Sequence, residues 1–229
     1  MKEALDLLQK YTWGDDRNAL KPIDDAIVAS HGDATKRKEI EEALIGVLSG
    51  DASRNGKDYV CRKLKVIGTD ASVPALASML GNKDHSHMAR YALQSIPTEA
   101  ASKALVDSLG SVSGALKAGV LGSLGARGDN SAVSAIAKLI GDSDGAVATA
   151  AANALGAIRT PDAAKALADA KPADGVAAAV MNATLSCAEG ILASGDKSAA
   201  KAIYQKLMTS SAKSVKLAAT RGMLACAGK

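Results

Sequence analysis

Apolar residues along this chain recur three and four positions apart, and the stripes break at short polar turns roughly every thirty residues. That spacing lines one face of an α-helix, so each interval is predicted to hold two helices. The longer first helices fall near 57–67, 86–96, 113–124, 145–158, 176–193 and 213–226, with stripes such as Ala89/Leu93/Ile96 and Val147/Ala151/Leu155/Ile158. The shorter second helices fall near 72–80, 99–109, 131–140, 161–169 and 197–208. Thr160 before Pro161 and Thr98 before Glu99 read as N-caps, and Asp70/Ser72 precede Pro74. Gly81-Asn82, Gly110-Ser111, Gly141-Asp142 and Lys171-Pro172 mark the turns between intervals. No segment sustains the alternation of a strand.

The intervals repeat one another. Leu64–Thr69 (LKVIGT), Leu93–Thr98 (LQSIPT), Leu121–Ala126 (LGSLGA) and Ala154–Ala157 (ALGA) carry one signature, and each is followed by a second apolar cluster. Its anchors Ile67, Ile96, Leu124 and Leu155 are spaced by 29, 28 and 31 residues, with looser copies at Ile191 and Leu224 a further 36 and 33 along. A period in this range means a solenoid, whose units cannot bury their apolar faces alone and must stack. Residues 1–55 repeat less cleanly. Leu5/Leu7/Leu8, Leu20/Ile23/Ile27 and Ile40/Leu44/Val47/Leu48 predict three amphipathic helices that cap the array. The expected organisation is a single α-solenoid domain over 1–229, with the cap at 1–55 and repeats at 56–229. Leu217/Leu224 mark an exposed closing helix.

Composition narrows this picture. Aromatics are 2% of the 229 residues, Phe is absent and alanine supplies about a fifth of the chain. Such a chain cannot fill a thick core, but it suits helices stacked closely through small residues. A hydrophobic share of 48% argues against disorder, and no run reaches the ~18 apolar residues of a membrane span. The N-terminus has no apolar core of a secretory leader. The net charge of +4 is uneven: residues 1–110 hold 15 Lys/Arg against 16 Asp/Glu, and residues 111–229 hold 13 against 8. The basic end reads chiefly as solubilising lysines. Cys187 and Cys226 would differ by six helical positions, about 9 Å in level, against the ~7 Å a disulfide tolerates. Cys61, Cys187 and Cys226 are therefore expected to be small buried apolar residues.

The paired-helix unit with its apolar–Gly signature resembles HEAT repeats, in the short bacterial form also called PBS-lyase-type HEAT-like repeats, over about residues 40–229. A narrower likeness covers residues 5–110, through Tyr11-x-Trp13-Gly14-x-x-Arg17-x-x-Leu20, Val60-Cys61-Arg62-x-Leu64-x-x-Ile67-Gly68-Thr69, Val73-Pro74-Ala75-Leu76 and His87-Met88-Ala89-Arg90-Tyr91-Ala92-Leu93. These look like the HEAT module of exported bacterial proteins of the planctomycete and Bacteroidetes type, where it often accompanies a sugar-processing domain of the keto-disaccharide-hydrolase kind. This sequence holds no such catalytic domain, so membership implies a binding or spacer role, in an exported protein whose leader has been removed. The expected fold is all-α, a right-handed α-α superhelix (an armadillo-like HEAT solenoid) of about six helical-hairpin repeats with an N-terminal helical cap.

Candidate chemistry is sparse. His85-x-His87 places its imidazoles about 200° apart on a helix, so with Asp84 it makes a polar helix start rather than a metal pair. Cys61 and His87 lie on adjacent first helices, but a thiol in the packed seam is inert. Gly122–Gly128 has neither the preceding strand nor the Gly-Lys-Ser/Thr ending of a nucleotide loop, and reads as repeat turns. Arg62 and Arg90, 28 residues apart, are expected to stack at one level with Tyr59 and Tyr91 beside them. That ladder suits a carboxylate-bearing or peptide partner, or else pairs internally with Asp58, Asp84 or Glu99. Trp13, the sole Trp, is expected to fill the cap core.

The leading functional reading is a non-catalytic scaffold that binds a protein or peptide, or another domain of a larger protein, along a concave groove lined by the second helices. No cofactor, metal or small-molecule substrate is assigned. The exposed polar positions expected there are Lys103 and Asp107, Lys138, Lys165 and Asp169, and Lys201 and Gln205, joining Tyr59, Arg62, His87, Arg90 and Tyr91 as candidate contacts. The alternative is a nucleic-acid-binding protein of the DNA-repair glycosylase type. It calls for aromatics and a strongly basic groove that one Trp and a near-neutral first half do not supply. A lyase or chaperone role toward a tetrapyrrole-bearing protein rests on the repeat name alone.

Overall fold

The computed structural model describes residues 1–228, and all regular structure among them is helical. By contact density the chain divides into two compact units, Met1–Val112 and the remainder from Ser113 onward.

The first unit holds α1 (Lys2–Leu7), α2 (Lys21–Ala29), α3 (Ala34–Ser49), α4 (Arg54–Ile67), α5 (Val73–Ala77), α6 (Ser86–Leu93) and α7 (Glu99–Ser108). The three helices expected in the cap are present, and α3 continues into the stack by packing on α4. Beyond them α4 packs on α6 and α5 on α7, so first helices stack on first and second on second. The second unit holds α8 (Gly114–Arg127), α9 (Val133–Ala137), α10 (Gly145–Ile158), α11 (Pro161–Asp169), α12 (Ala177–Ala193), α13 (Lys197–Leu207) and α14 (Lys213–Cys226). It has two layers of its own: α8 on α10 on α12 on α14, and α9 on α11. Each unit is thus an α-solenoid of stacked helical hairpins.

Local sequence explains where helices start. Side-chain oxygens of Ser53, Thr98, Asp144, Thr160 and Asp196 accept from backbone N–H groups one turn in, satisfying donors that the helix leaves open. Three helices are shorter than their stripes suggest. α5 and α9 cover five residues each because their far ends wind into i→i+3 bonds, Met79 to Leu76 and Leu80 to Ala77 in one, Leu139 to Ile136 and Ile140 to Ala137 in the other. α6 stops at Leu93, where Ser95 N–H turns to the Ala92 carbonyl. Tighter winding keeps Leu80, Ile96 and Ile140 buried while ending the α-helix.

The anchors Ile67, Ile96, Leu124, Leu155 and Ile191 are all buried. Leu224 is not: it is 51% exposed, and Leu217, one heptad back, is 65% exposed. α14 turns a different stripe inward, Val215 and Ala219, and sets Gly222 against the Tyr204 ring. The repeat glycines also behave differently from the turn residues expected. Gly125 and Gly156 lie inside α8 and α10, buried against the Ala154 and Ala183 backbones of the next first helix. Gly122–Arg127 is likewise helical, and only Gly128 ends the helix, in a left-handed cap (φ 67°).

Candidate interaction site

An aromatic–cationic cluster lies on the first-helix layer of the first unit. It begins in the core. Tyr59 of α4 is buried to 1% exposure, and its hydroxyl donates to Asp24 Oδ1 at 2.9 Å with the Leu20 carbonyl at 3.3 Å. Lys63 lies over the Tyr59 ring at 4.6 Å and pairs with the same Asp24. Burial, the main cause, together with the Asp24 carboxylate pushes the Tyr59 phenol far above its usual range. Tyr59 is therefore a core residue, correcting its expected place on a binding face. The N-terminal helices cover it, a long-range contact that spacing within α4 does not reveal.

Tyr11, also buried, meets Tyr59 edge-on with ring centroids 6.5 Å apart, and Trp13 meets Tyr11 in the same way at 5.6 Å. Tyr11 takes the core position that was expected of Trp13, which is 46% exposed. The Arg62 guanidinium then lies 5.7 Å from the Trp13 ring and 5.9 Å from the Tyr91 ring. Its Nε–H donates to Asp58 Oδ2 at 3.1 Å, one turn back on α4. Tyr91 of α6 is 36% exposed and receives a 2.7 Å hydrogen bond from Lys65 Nζ, which lies 3.9 Å from its ring centroid. That ammonium draws the Tyr91 phenol below its usual range.

Of the expected Arg62–Arg90 ladder, Arg62 pairs with Asp58, as the internal reading allowed, and meets Tyr91 across the helices. Arg90 is half-buried, and burial lowers its pKa. His87 is exposed and His85 half-buried, with burial first and Lys57 second in lowering the His85 pKa. Cys61 and Cys187 are buried free thiols, pushed by burial to about 12 and about 11. Cys226 is half-exposed on α14, not buried in a seam as expected. Among the described residues no three His, Cys, Asp or Glu side chains gather closely enough to hold a metal ion, and no helix is long and apolar enough to cross a membrane.

Each unit carries an open groove on its second helices. One, of about 450 Å³, lies between α5 and α7 and is lined by Val73, Pro74, Ala77 and Ala104 with Lys103 and Asp107 at its edge. Another, of about 400 Å³, lies along α9 and α11, with Lys138 and Asp169 beside Ala137 and Ala166. Lys103 and Asp107 form an exposed ion pair at 2.6 Å. Lys165 and Lys201 are exposed on α11 and α13, although neither lines these grooves.

A polar feature invisible to the stripe pattern is Glu41. It sits 2% exposed in α3 beside the apolar Ile40 and Leu44. Its carboxylate accepts from Thr69 N–H at 2.7 Å, from Thr69 Oγ1 and from Ser72 Oγ at 2.5 Å. It thereby ties the α4–α5 connection to α3. The clue in sequence is the cluster of hydroxyls, Thr69 and Ser72, just after a repeat signature.

A family model described as HEAT repeats matches residues 102–186. That stretch is similar to HEAT repeats. A search of curated proteins gives no match. Among solved structures, a designed armadillo repeat protein is similar at 18% identity and a TM-score of 0.47, over 80% of this chain and 98% of that one. HEAT-repeat scaffolds commonly serve protein interaction and are typically non-catalytic.

Proposed function

We propose that this HEAT-repeat chain is a non-catalytic interaction module that binds an extended protein or peptide segment along the exposed faces of its second helices. The observation that carries the reading is an open groove on the second helices of each unit, one lined by Val73, Pro74 and Ala77 with Lys103 and Asp107, the other by Ala137 and Ala166 with Lys138 and Asp169. Small side chains let a partner backbone approach, and the flanking charges fix its register. The buried thiols of Cys61 and Cys187 stay protonated at neutral pH, which fits a binding role better than nucleophilic chemistry.

The test is selection of binding peptides from a random library by the whole chain, repeated with Lys103→Glu, Lys138→Glu, Lys165→Glu and Lys201→Glu combined. Selected peptides should bind the variant at least about tenfold more weakly, a loss of about 1.4 kcal/mol. Equal binding by both proteins refutes the reading. A labelled DNA duplex retained where no peptide is, with affinity falling steeply as salt rises, would replace it with nucleic-acid binding.

A further inference from the structure

We propose that the Trp13–Arg62–Tyr91 stack is a second, separate site: a receptor for a peptide carboxylate, the side chain of a Glu or Asp flanked by apolar residues. The Arg62 side chain is 54% exposed yet held from three directions, by Trp13, by Tyr91 and by Asp58. Among the described residues the protein engages only its Nε–H. The two terminal amino groups of the fork therefore remain free in a fixed plane. Two parallel N–H donors at that spacing match the two oxygens of a carboxylate.

Holding the fork in place beforehand removes much of the ordering cost that an exposed arginine incurs on binding. The surroundings favour an anion with an apolar neighbour. Asp58 is only 15% exposed and already paired with Arg62, and Lys65, bonded to the Tyr91 hydroxyl, adds a positive charge beside the stack. The half-exposed Trp13 ring offers apolar surface next to the fork. A phosphate dianion is usually held by a cluster of arginines; one planar fork favours a carboxylate. The site is built from α4, α6 and the α1–α2 connection, whereas the groove edged by Lys103 belongs to α5 and α7. The two sites can therefore be tested apart.

Trp13 is the sole tryptophan, so its emission reports on the stack directly. The whole chain is titrated with a capped Ala-Leu-Glu-Leu-Ala peptide, its Gln analogue and its phosphoserine analogue. The expected result is saturable change with the Glu peptide and at least about tenfold weaker binding of the Gln analogue. Arg62→Lys, which keeps the charge and loses the fork, should weaken the Glu peptide about tenfold with an unchanged circular dichroism spectrum. Lys38→Glu, on the exposed side of α3, should bind it as the wild type does. The assignment is overturned by equal binding of the Glu and Gln peptides, by undiminished binding to Arg62→Lys, or by no saturable change. A stronger phosphoserine analogue would make the site one for phosphopeptides, and equal loss in Lys103→Glu would move the peptide to the α5–α7 groove. Either result overturns the proposal.

Discussion

Two glycines on one helix should respond to the same substitution with opposite signs. In α8, Gly122 faces solvent, and a Cβ built there meets nothing within 4 Å. Gly122→Ala therefore gains helix propensity alone, about 0.8–1 kcal/mol. Gly125 lies three residues on, against α10. A Cβ there would fall 2.9 Å from Ala154 Cα, 3.2 Å from its carbonyl oxygen and 3.3 Å from its Cβ. Two of those atoms are backbone and cannot rotate aside, so the helices must separate. Overpacking of this kind costs about 1–3 kcal/mol, and the propensity gain in a last helical turn offsets less than about 1 kcal/mol of it. The net expectation for Gly125→Ala is a loss of about 1–2 kcal/mol. At about 2–4 °C per kcal/mol for a chain of this size, thermal melts followed by circular dichroism should show Gly122→Ala shifted upward and Gly125→Ala downward. A Gly125→Ala melting point at or above wild type would refute the reasoning. Gly156→Ala should repeat the loss, because its Cβ would lie 2.8 Å from Ala183 Cα.

Other consequences are equally direct. Glu41→Gln puts an amide donor beside the Thr69 N–H and should cost about 1–3 kcal/mol in urea unfolding; a neutral result would show the network contributes nothing. In the native protein a thiol reagent should modify Cys226 alone with speed, leaving Cys61 and Cys187 to react only on unfolding; rapid labelling of all three would contradict the buried seam. The raised thiol pKa values also set an alkaline dependence. An unfolded thiol ionises near 9, the folded ones at about 12 and about 11. Their stabilising share is thus complete below about pH 9 and lost as pH rises toward 11–12. Cys61→Ala should flatten the fall in urea midpoint across that range, and an unchanged slope would remove the thiol from the account.

The repeat was legible because stacking units must each supply an anchor to one core, which puts Ile67, Ile96, Leu124 and Leu155 into a period that needs no neighbour to be seen. What stayed hidden depended on which element covers which face. Leu224 and Val215 lie on different stripes of α14, and only the placement of α12 and α13 decides that Val215 goes inward. The glycines of the Leu-Gly-Ala signature look like turn residues in sequence. Their use in a helix–helix contact appears only once Ala154 and Ala183 face them.

The interaction site turns on the same distinction. Tyr59 and Arg62 stand three apart on α4 and share a helix side, which gave both an equal claim to a binding face. The N-terminal helices cover one and leave the other at the edge. Tyr59, fixed to Asp24 and covered by Leu20, supports Tyr11; Tyr11 supports the Trp13 ring; and Trp13 bounds the Arg62 fork. The tyrosine that leaves the binding face thus acts as a positioning residue for the arginine that remains on it. A guanidinium on an exposed helix is ordinarily mobile. Here a buried pair of tyrosines, acting through Trp13, helps to hold the planar guanidinium and its two free amino groups in one orientation.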